Sequence, residues 1–128
     1  MHNQCLYDYA VIRVVPRVER EEFINVGVIL SCPTKQFLQA VIELDEQRLL
    51  SLYPEVDIDK IKAHLDAIPR VCAGKADAGP IGNMSKRERF HWLVAPRSTM
   101  IQLSAVHTGQ SDDPARVLKD LVQKMVRT

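Results

Sequence analysis

"FINVGVILSCPTKQFLQAVIEL", Phe23 to Leu44, decides the fold. Two runs rich in Val, Ile, Leu and Phe flank "CPTKQ" (Cys32 to Gln36), and Pro33 with its polar neighbours is turn chemistry. Each run has strand length and strand composition. The spacing predicts one strand over Phe23–Leu30 and another over Phe37–Leu44. A connection this short makes them antiparallel, because parallel neighbours need a crossover of about a dozen residues. Upstream, Cys5 to Val15 reads as a first strand, apolar on both faces, and Pro16 ends its regular pairing because it has no N–H to donate. The expectation is a three-stranded meander.

Side chains alternate across a strand. Ile24, Val26, Val28 and Leu30 therefore share one face, and Leu38, Ala40, Ile42 and Leu44 share another. A turn centred near Thr34 sets these two groups opposite each other and puts Asn25 opposite Glu43. A connection centred near Glu19 adds Ala10, Ile12 and Val14 to the core face and puts Arg13 opposite Asn25. The predicted result is a polar row, Arg13, Asn25 and Glu43, on the second face. Gly27 beside it leaves a gap, so the row is a candidate groove. The plainer reading is a cross-strand polar pair worth ~0.2–1 kcal/mol, with Gly27 marking a bulge. That reading needs no ligand, because Glu43 itself can partner Arg13.

After Leu44 the apolar period becomes helical. Asp45 caps a short helix that Pro54 stops, and Asp57 caps a longer one carrying Ile58, Ile61, Leu65 and Ile68. Pro69 is expected to end or kink it. "AGKADAGP" (Ala73 to Pro80) reads as a surface loop. "SKRE" (Ser85 to Glu88) has the capping-box pattern and opens a helix bearing Phe90, Trp92 and Leu93. Met100 to Val106 reads as a fourth strand. "SDDPARVLKDLVQKMV" is a helix with Asp113 at the N-cap and Pro114 in the first turn. Val117, Leu118, Leu121, Val122, Met125 and Val126 form its apolar stripe. Nothing repeats, and no linker divides the chain. The expected fold class is α+β, one domain over residues 1–128: an antiparallel sheet of about four strands, a meander of three plus a late strand, with helices packed mainly on one face.

The formal net charge is +1, with 26% charged and 46% hydrophobic residues. This balance gives no general push toward nucleic acid or an acidic membrane. There is no signal-peptide pattern and no apolar run of bilayer-spanning length. Three distant cysteines, Cys5, Cys32 and Cys72, form no C-x-x-C pair and read as buried free thiols. A cytoplasmic location is expected.

The candidate chemistry is thin. "EREEF" (Glu19 to Phe23) sets three carboxylates beside Arg17 and Arg20, and the alternating signs read more simply as a solvated loop. "KRERFHW" (Lys86 to Trp92) has the basic and aromatic composition of a single-strand nucleic-acid platform. The capping box instead sends its charges to water and Phe90 and Leu93 to the core, so nucleic acid is not the expected partner. "APRSTMIQLSAVHTG" (Ala95 to Gly109) gathers Arg97, Ser98, Thr99, Gln102, Ser104 and His107. A serine and a histidine can form a nucleophile and base, but no G-x-S-x-G elbow holds them. His2, His64, His91 and His107 lack metal-ligand spacing. No glycine cradle for a nucleotide is present, and neither a metal nor a cofactor is expected.

"YDYAVIRVVPRVEREEFINVGVIL", "IELDEQRL", "GPIGNMSKRERFHWLVAPRST" and "VHTGQSDDP" resemble, in order, the motifs of the bacterial domain-of-unknown-function family numbered 3037. The likeness runs from Tyr7 to the last helix. This chain reads "SAVH" where the family reads "SPVH", and "TGQ" where it reads "TGL". The resemblance implies a small stand-alone bacterial protein. Gene neighbourhood within the family suggests a partner or regulator of a HipA-like serine/threonine kinase. The family pattern falls on Arg13, Pro16, Arg17, Arg20, Glu22, Phe23, Asn25, Gly27, Arg97, Ser98, Thr99, His107 and Asp113, and brings no catalytic role with it.

The functional expectation is a binding or regulatory module acting through protein contacts, without enzymatic turnover. A HipA-like kinase is one candidate partner and a second copy of the chain another. The alternative is an enzyme or binder for a phosphate-containing ligand or nucleic acid. Arg13, Arg17, Arg20 and Arg97 would hold the anion, and Glu43 or His107 would act as base. The candidate ligand or partner residues are Arg13, Arg17, Arg20, Asn25, Gly27, Glu43, Arg97, Ser98 and His107.

Overall fold

The computed structural model describes residues 4–74, 76–96 and 99–127. Its elements in chain order are β1 (Cys5–Val14), β2 (Ile24–Cys32), β3 (Phe37–Ile42), α1 (Glu46–Leu52), α2 (Ile58–Ala73), α3 (Lys86–Val94), β4 (Ile101–Leu103), β5 (His107–Ser111) and α4 (Pro114–Met125). The sheet is antiparallel in the order β3-β2-β1-β4, and β5 also pairs with β1. The α+β class is as expected. The late strand is two short strands laid end to end along β1.

Three polar caps start the helices as the sequence indicates. Asp45, Asp57 and Asp113 accept from the backbone N–H of Arg48, Lys60 and Arg116 at 3.1, 3.1 and 3.2 Å. Each such cap is worth ~1 kcal/mol. The Ser85–Glu88 capping box forms in both directions, each bond 3.2 Å. Pro69 does not end α2. The helix runs four residues further because Val71 and Cys72 still bury against the sheet. It stops at Gly74, whose φ of 69° suits glycine and whose N–H reaches the Arg70 and Val71 carbonyls at 3.1 Å. The expected loop after it is a run of 3₁₀ turns, Ala76–Asn83, broken at Gly79, and Ala78 and Ile81 pack on the core.

The sheet is buried on both faces. Ala10, Ile12, Val14, Ile24, Val26 and Ile29 pack under α1, α2 and α3. Val28, Leu30 and Cys32 pack under Leu118, Val122 and Val126 of α4. This corrects the expected facing of β2, whose four apolar residues do not share one side. The cause is a bulge: Ile12 pairs with Gly27 but Arg13 with Asn25, so Val26 is an extra residue. Side-chain parity changes there, and one apolar strand serves two cores. Gly27 leaves room for β3, since a Cβ there would lie 2.4 Å from the Val41 carbonyl oxygen.

The β2–β3 register is also one residue from that expected. Cys32 pairs with Phe37 and Gly27 with Ile42. The turn includes Gln36 in the left-handed region, φ 51°, with its N–H on the Pro33 carbonyl at 2.9 Å. That extra turn residue shifts the pairing.

Candidate functional site

Arg13 does lie opposite Asn25, but the expected row ends there. The shifted register puts Glu43 beside Val26, whose carbonyl accepts from the Glu43 N–H at 2.7 Å. Gly27 faces the Val41 backbone and Ile42 rather than flooring a groove. The C-terminal end of α4 covers this part of the sheet. Asn25 Nδ2 donates to the Met125 carbonyl at 3.1 Å, and Arg127 forks onto Glu43 with bonds of 2.8 and 2.7 Å. The guanidinium of Arg127 holds the Glu43 carboxyl below its ordinary range. Arg13 stacks over Phe23, 4.2 Å from the ring centroid. Arg13 Nε and Asn25 Oδ1 are buried without hydrogen-bond partners among the described residues.

The arginines do not form one anion site. Arg17 Nε donates to Glu19 at 2.9 Å, and Arg20 pairs with Glu22, both in exposed positions. Solvated local pairs of this kind contribute ~0–1 kcal/mol each. Arg97 and Ser98 lie outside the described residues. His107 is exposed on β5, with its ring 5.2 Å from that of Tyr9. Ser104 Oγ is already committed: it accepts from the buried Val11 N–H at 2.8 Å and donates to the Ala105 carbonyl at 2.9 Å.

"KRERFHW" is likewise taken up by the fold. Arg87 bonds Asp8 at 2.8 Å. Arg89, expected in water, is buried: its guanidinium donates to the Met84 carbonyl at 2.8 Å and to the Gly82 and Cys72 carbonyls at 3.4 Å. Phe90 and Leu93 face the core as expected.

The cysteine reading needs one correction. Cys5 and Cys32 are joined as a disulfide, because antiparallel pairing brings the start of β1 beside the end of β2. A pair 27 residues apart has no signature in local spacing. Cys72 is the free, buried thiol among the described residues, and desolvation pushes it up to about 12.

A roomier concavity than the one beside Arg17 and Glu19 lies elsewhere. A cleft of about 710 Å³ lies between α2, the end of α3, and β4 with the Ser104–Val106 connection. Ala63, Ala67, Ile68 and Val71 form one wall, Trp92 to Pro96 a second, and Ile101 to Val106 the floor and third wall. No Asp, Glu, Lys or Arg lines it among the described residues. Its polar side chains include Trp92, His64, Thr99, Gln102 and Ser104. Trp92 and Val106 remain 38% and 43% exposed at its rim. The volume falls within the range of small-molecule and peptide-anchor pockets.

Two local features open this space. Alanines at 63 and 67 leave the flank of α2 without bulk. A second bulge separates β4 from β5: Ile12 pairs with Leu103 and Tyr9 with His107, three steps on β1 against four from β4 to β5. The described part of "APRSTMIQLSAVHTG" supplies wall residues of this cleft. The two alanines on the flank of an otherwise amphipathic helix were the available signal for the cleft.

The family model described as "Protein of unknown function (DUF3037)" matches residues 9–126. The chain belongs to this family. No curated protein and no solved structure matches it. The resemblance read from the sequence motifs is thereby borne out, and the cleft lies wholly within the matched span. Among the family-pattern positions, Arg13 stacks on Phe23 and lies opposite Asn25, Asn25 bonds the end of α4, and Asp113 caps that helix. Thr99 lines the cleft. No helix among the described residues is long and apolar enough to cross a membrane, and no group of three or more metal-ligating side chains occurs among them.

Proposed function

We propose that this protein is a binding module acting through protein contacts, and that the cleft between α2, α3 and β4 is its docking site. The observation that carries the reading is a cleft of about 710 Å³, lined among the described residues by no Asp, Glu, Lys or Arg, with a tryptophan left 38% exposed at its rim. An apolar surface open to water costs ~25 cal/mol per Å², which a partner recovers on docking. The rival reading, a phosphate or nucleic-acid ligand held by clustered arginines, draws little support from Arg17 and Arg20, each of which has its own carboxylate.

The family resemblance makes a HipA-like serine/threonine kinase the first partner to test. Tagged protein is expected to retain the kinase from co-expression, and Ala67→Arg to release it while leaving the melting temperature within ~2 °C. Equal retention by Ala67→Arg and the parent chain sinks the cleft as docking site. Failure to retain any such kinase removes that partner.

A further inference from the structure

The cleft runs along the outer edge of β4, and the chemistry of that edge indicates what it takes. In the β1–β4 pair, the Val15 N–H donates to the Met100 carbonyl at 2.6 Å and the Ser104 N–H to the Val11 carbonyl at 2.9 Å. Antiparallel ladders alternate between residues that exchange hydrogen bonds and residues that do not. Met100, Gln102 and Ser104 therefore turn their backbone groups toward β1. Ile101 and Leu103, opposite Val14 and Ile12, turn theirs away from it. Thr99 Oγ1 occupies the Ile101 carbonyl at 2.6 Å. The Ile101 N–H and both backbone groups of Leu103 have no partner among the described residues, and β4 ends the sheet. The side chains of Ile101 and Leu103 point to the core face, the face on which the cleft opens.

We propose that the cleft takes an extended peptide segment, which adds to β4 as a further strand and sets alternate, uncharged side chains between α2 and the end of α3. This rests on the docking reading above and specifies its occupant. Outward backbone groups two residues apart recur at ~6.7 Å, the spacing another strand offers in return. A docked helix satisfies its own backbone and would leave the Leu103 groups unpaired, while a compact small molecule does not present that repeat. Charge matching points the same way, since the described lining holds no Asp, Glu, Lys or Arg to pair with a charged side chain directed into it.

The test is selection of capped decapeptides from a random library on the whole protein, followed by three measurements on the winners. Fluorescence of Trp92, the chain's single tryptophan, gives the dissociation constant. Hydrogen exchange reads the Ile101 and Leu103 amides. N-methylated versions of the same peptides remove alternate backbone donors while keeping the side chains. The winners are expected to alternate apolar and polar residues and to slow exchange at Ile101 and Leu103 at least tenfold. N-methylation should weaken binding at least tenfold, and Ala67→Arg should abolish it. If binding is lost in Ala67→Arg but N-methylation and amide exchange show no effect, strand addition is overturned and the docking reading stands. If Ala67→Arg binds the peptides unchanged, both fall. If no peptide is selected, strand addition is overturned, and the kinase retention experiment alone decides the docking reading.

Discussion

Arg89→Met is the sharpest probe of how this fold is held. Arg89 is 7% exposed. Among the described residues it has no carboxylate within ion-pair distance, and its guanidinium instead answers three carbonyls. One of these, Cys72, lies in the last turn of α2, where unpaired carbonyls carry the negative end of the helix dipole. Met84 accepts at 2.8 Å, a good charge-assisted bond, while the two contacts at 3.4 Å are weak. A hydrogen bond to a charged group contributes ~1.5–3 kcal/mol. Methionine fills a similar volume and removes the desolvation cost of the cation. The expected net loss is ~2 kcal/mol, or ~8 °C in melting temperature for a chain of this size. Urea unfolding, with an unchanged m-value, measures it.

The same site allows a coupling test. A Cβ at Gly74 would lie 2.5 Å from Arg89 Nη1, and its φ of 69° is strained for alanine. Gly74→Ala alone is expected to cost more than the ~1–2 kcal/mol of the left-handed backbone. In the double variant Arg89→Met/Gly74→Ala the collision disappears, so its loss falls short of the sum of the two single losses by ~1 kcal/mol. If Arg89→Met is as stable as the parent or more so, the buried cation costs as much as its bonds return, and the clamp reasoning is refuted.

Three further outcomes follow from the geometry. Ser104→Ala strips the buried Val11 N–H of its acceptor and should cost ~1–3 kcal/mol, with faster hydrogen exchange at Val11 as the local signature. Glu43 has its folded pKa depressed by Arg127, so this pair stabilises above the ordinary carboxylate range and is lost as pH falls through the depressed value; Glu43→Gln should flatten that part of the acid limb by under ~1 kcal/mol in an equilibrium titration. Reduction of Cys5–Cys32, which closes a separation of 27 residues, should lower stability by ~3.5 kcal/mol, and iodoacetamide should leave Cys72 unmodified until the chain unfolds.

The sequence carries the elements and much of the core because caps, turns and apolar periods are local. Asp45, Asp57, Ser85 and Asp113 each announce a helix within four residues, and the Arg13–Asn25 pairing follows from alternation across one connection. What escaped was set by single-residue shifts. Gln36 in a left-handed turn moved Glu43 away from Asn25, and the bulge at Val26 sent Val28 and Leu30 to the opposite core. Arg89 escaped for another reason: an arginine on an amphipathic turn looks solvated until the carbonyls of Met84, Gly82 and Cys72 are known to converge on it. The cleft joins α2 to β4 across about forty residues, and its one local signal is the absence of side-chain bulk at Ala63 and Ala67.

The second bulge bears on why the cleft exists. A continuous late strand along β1 would pair without interruption and would need no buried hydroxyl. The chain instead carries an extra residue between Leu103 and His107, and Ser104 Oγ restores the acceptor that the Val11 N–H would otherwise lack. Burying that hydroxyl, 8% exposed, adds no apolar contact to either core. What the irregularity does provide is the Ser104–Val106 wall and a β4 of only three residues, short enough to keep an open edge without inviting unselective pairing along its length. Bulges concentrate at sheet edges and beside sites, where they re-aim side chains. The Ser104 hydrogen bond therefore serves the cleft as much as the sheet.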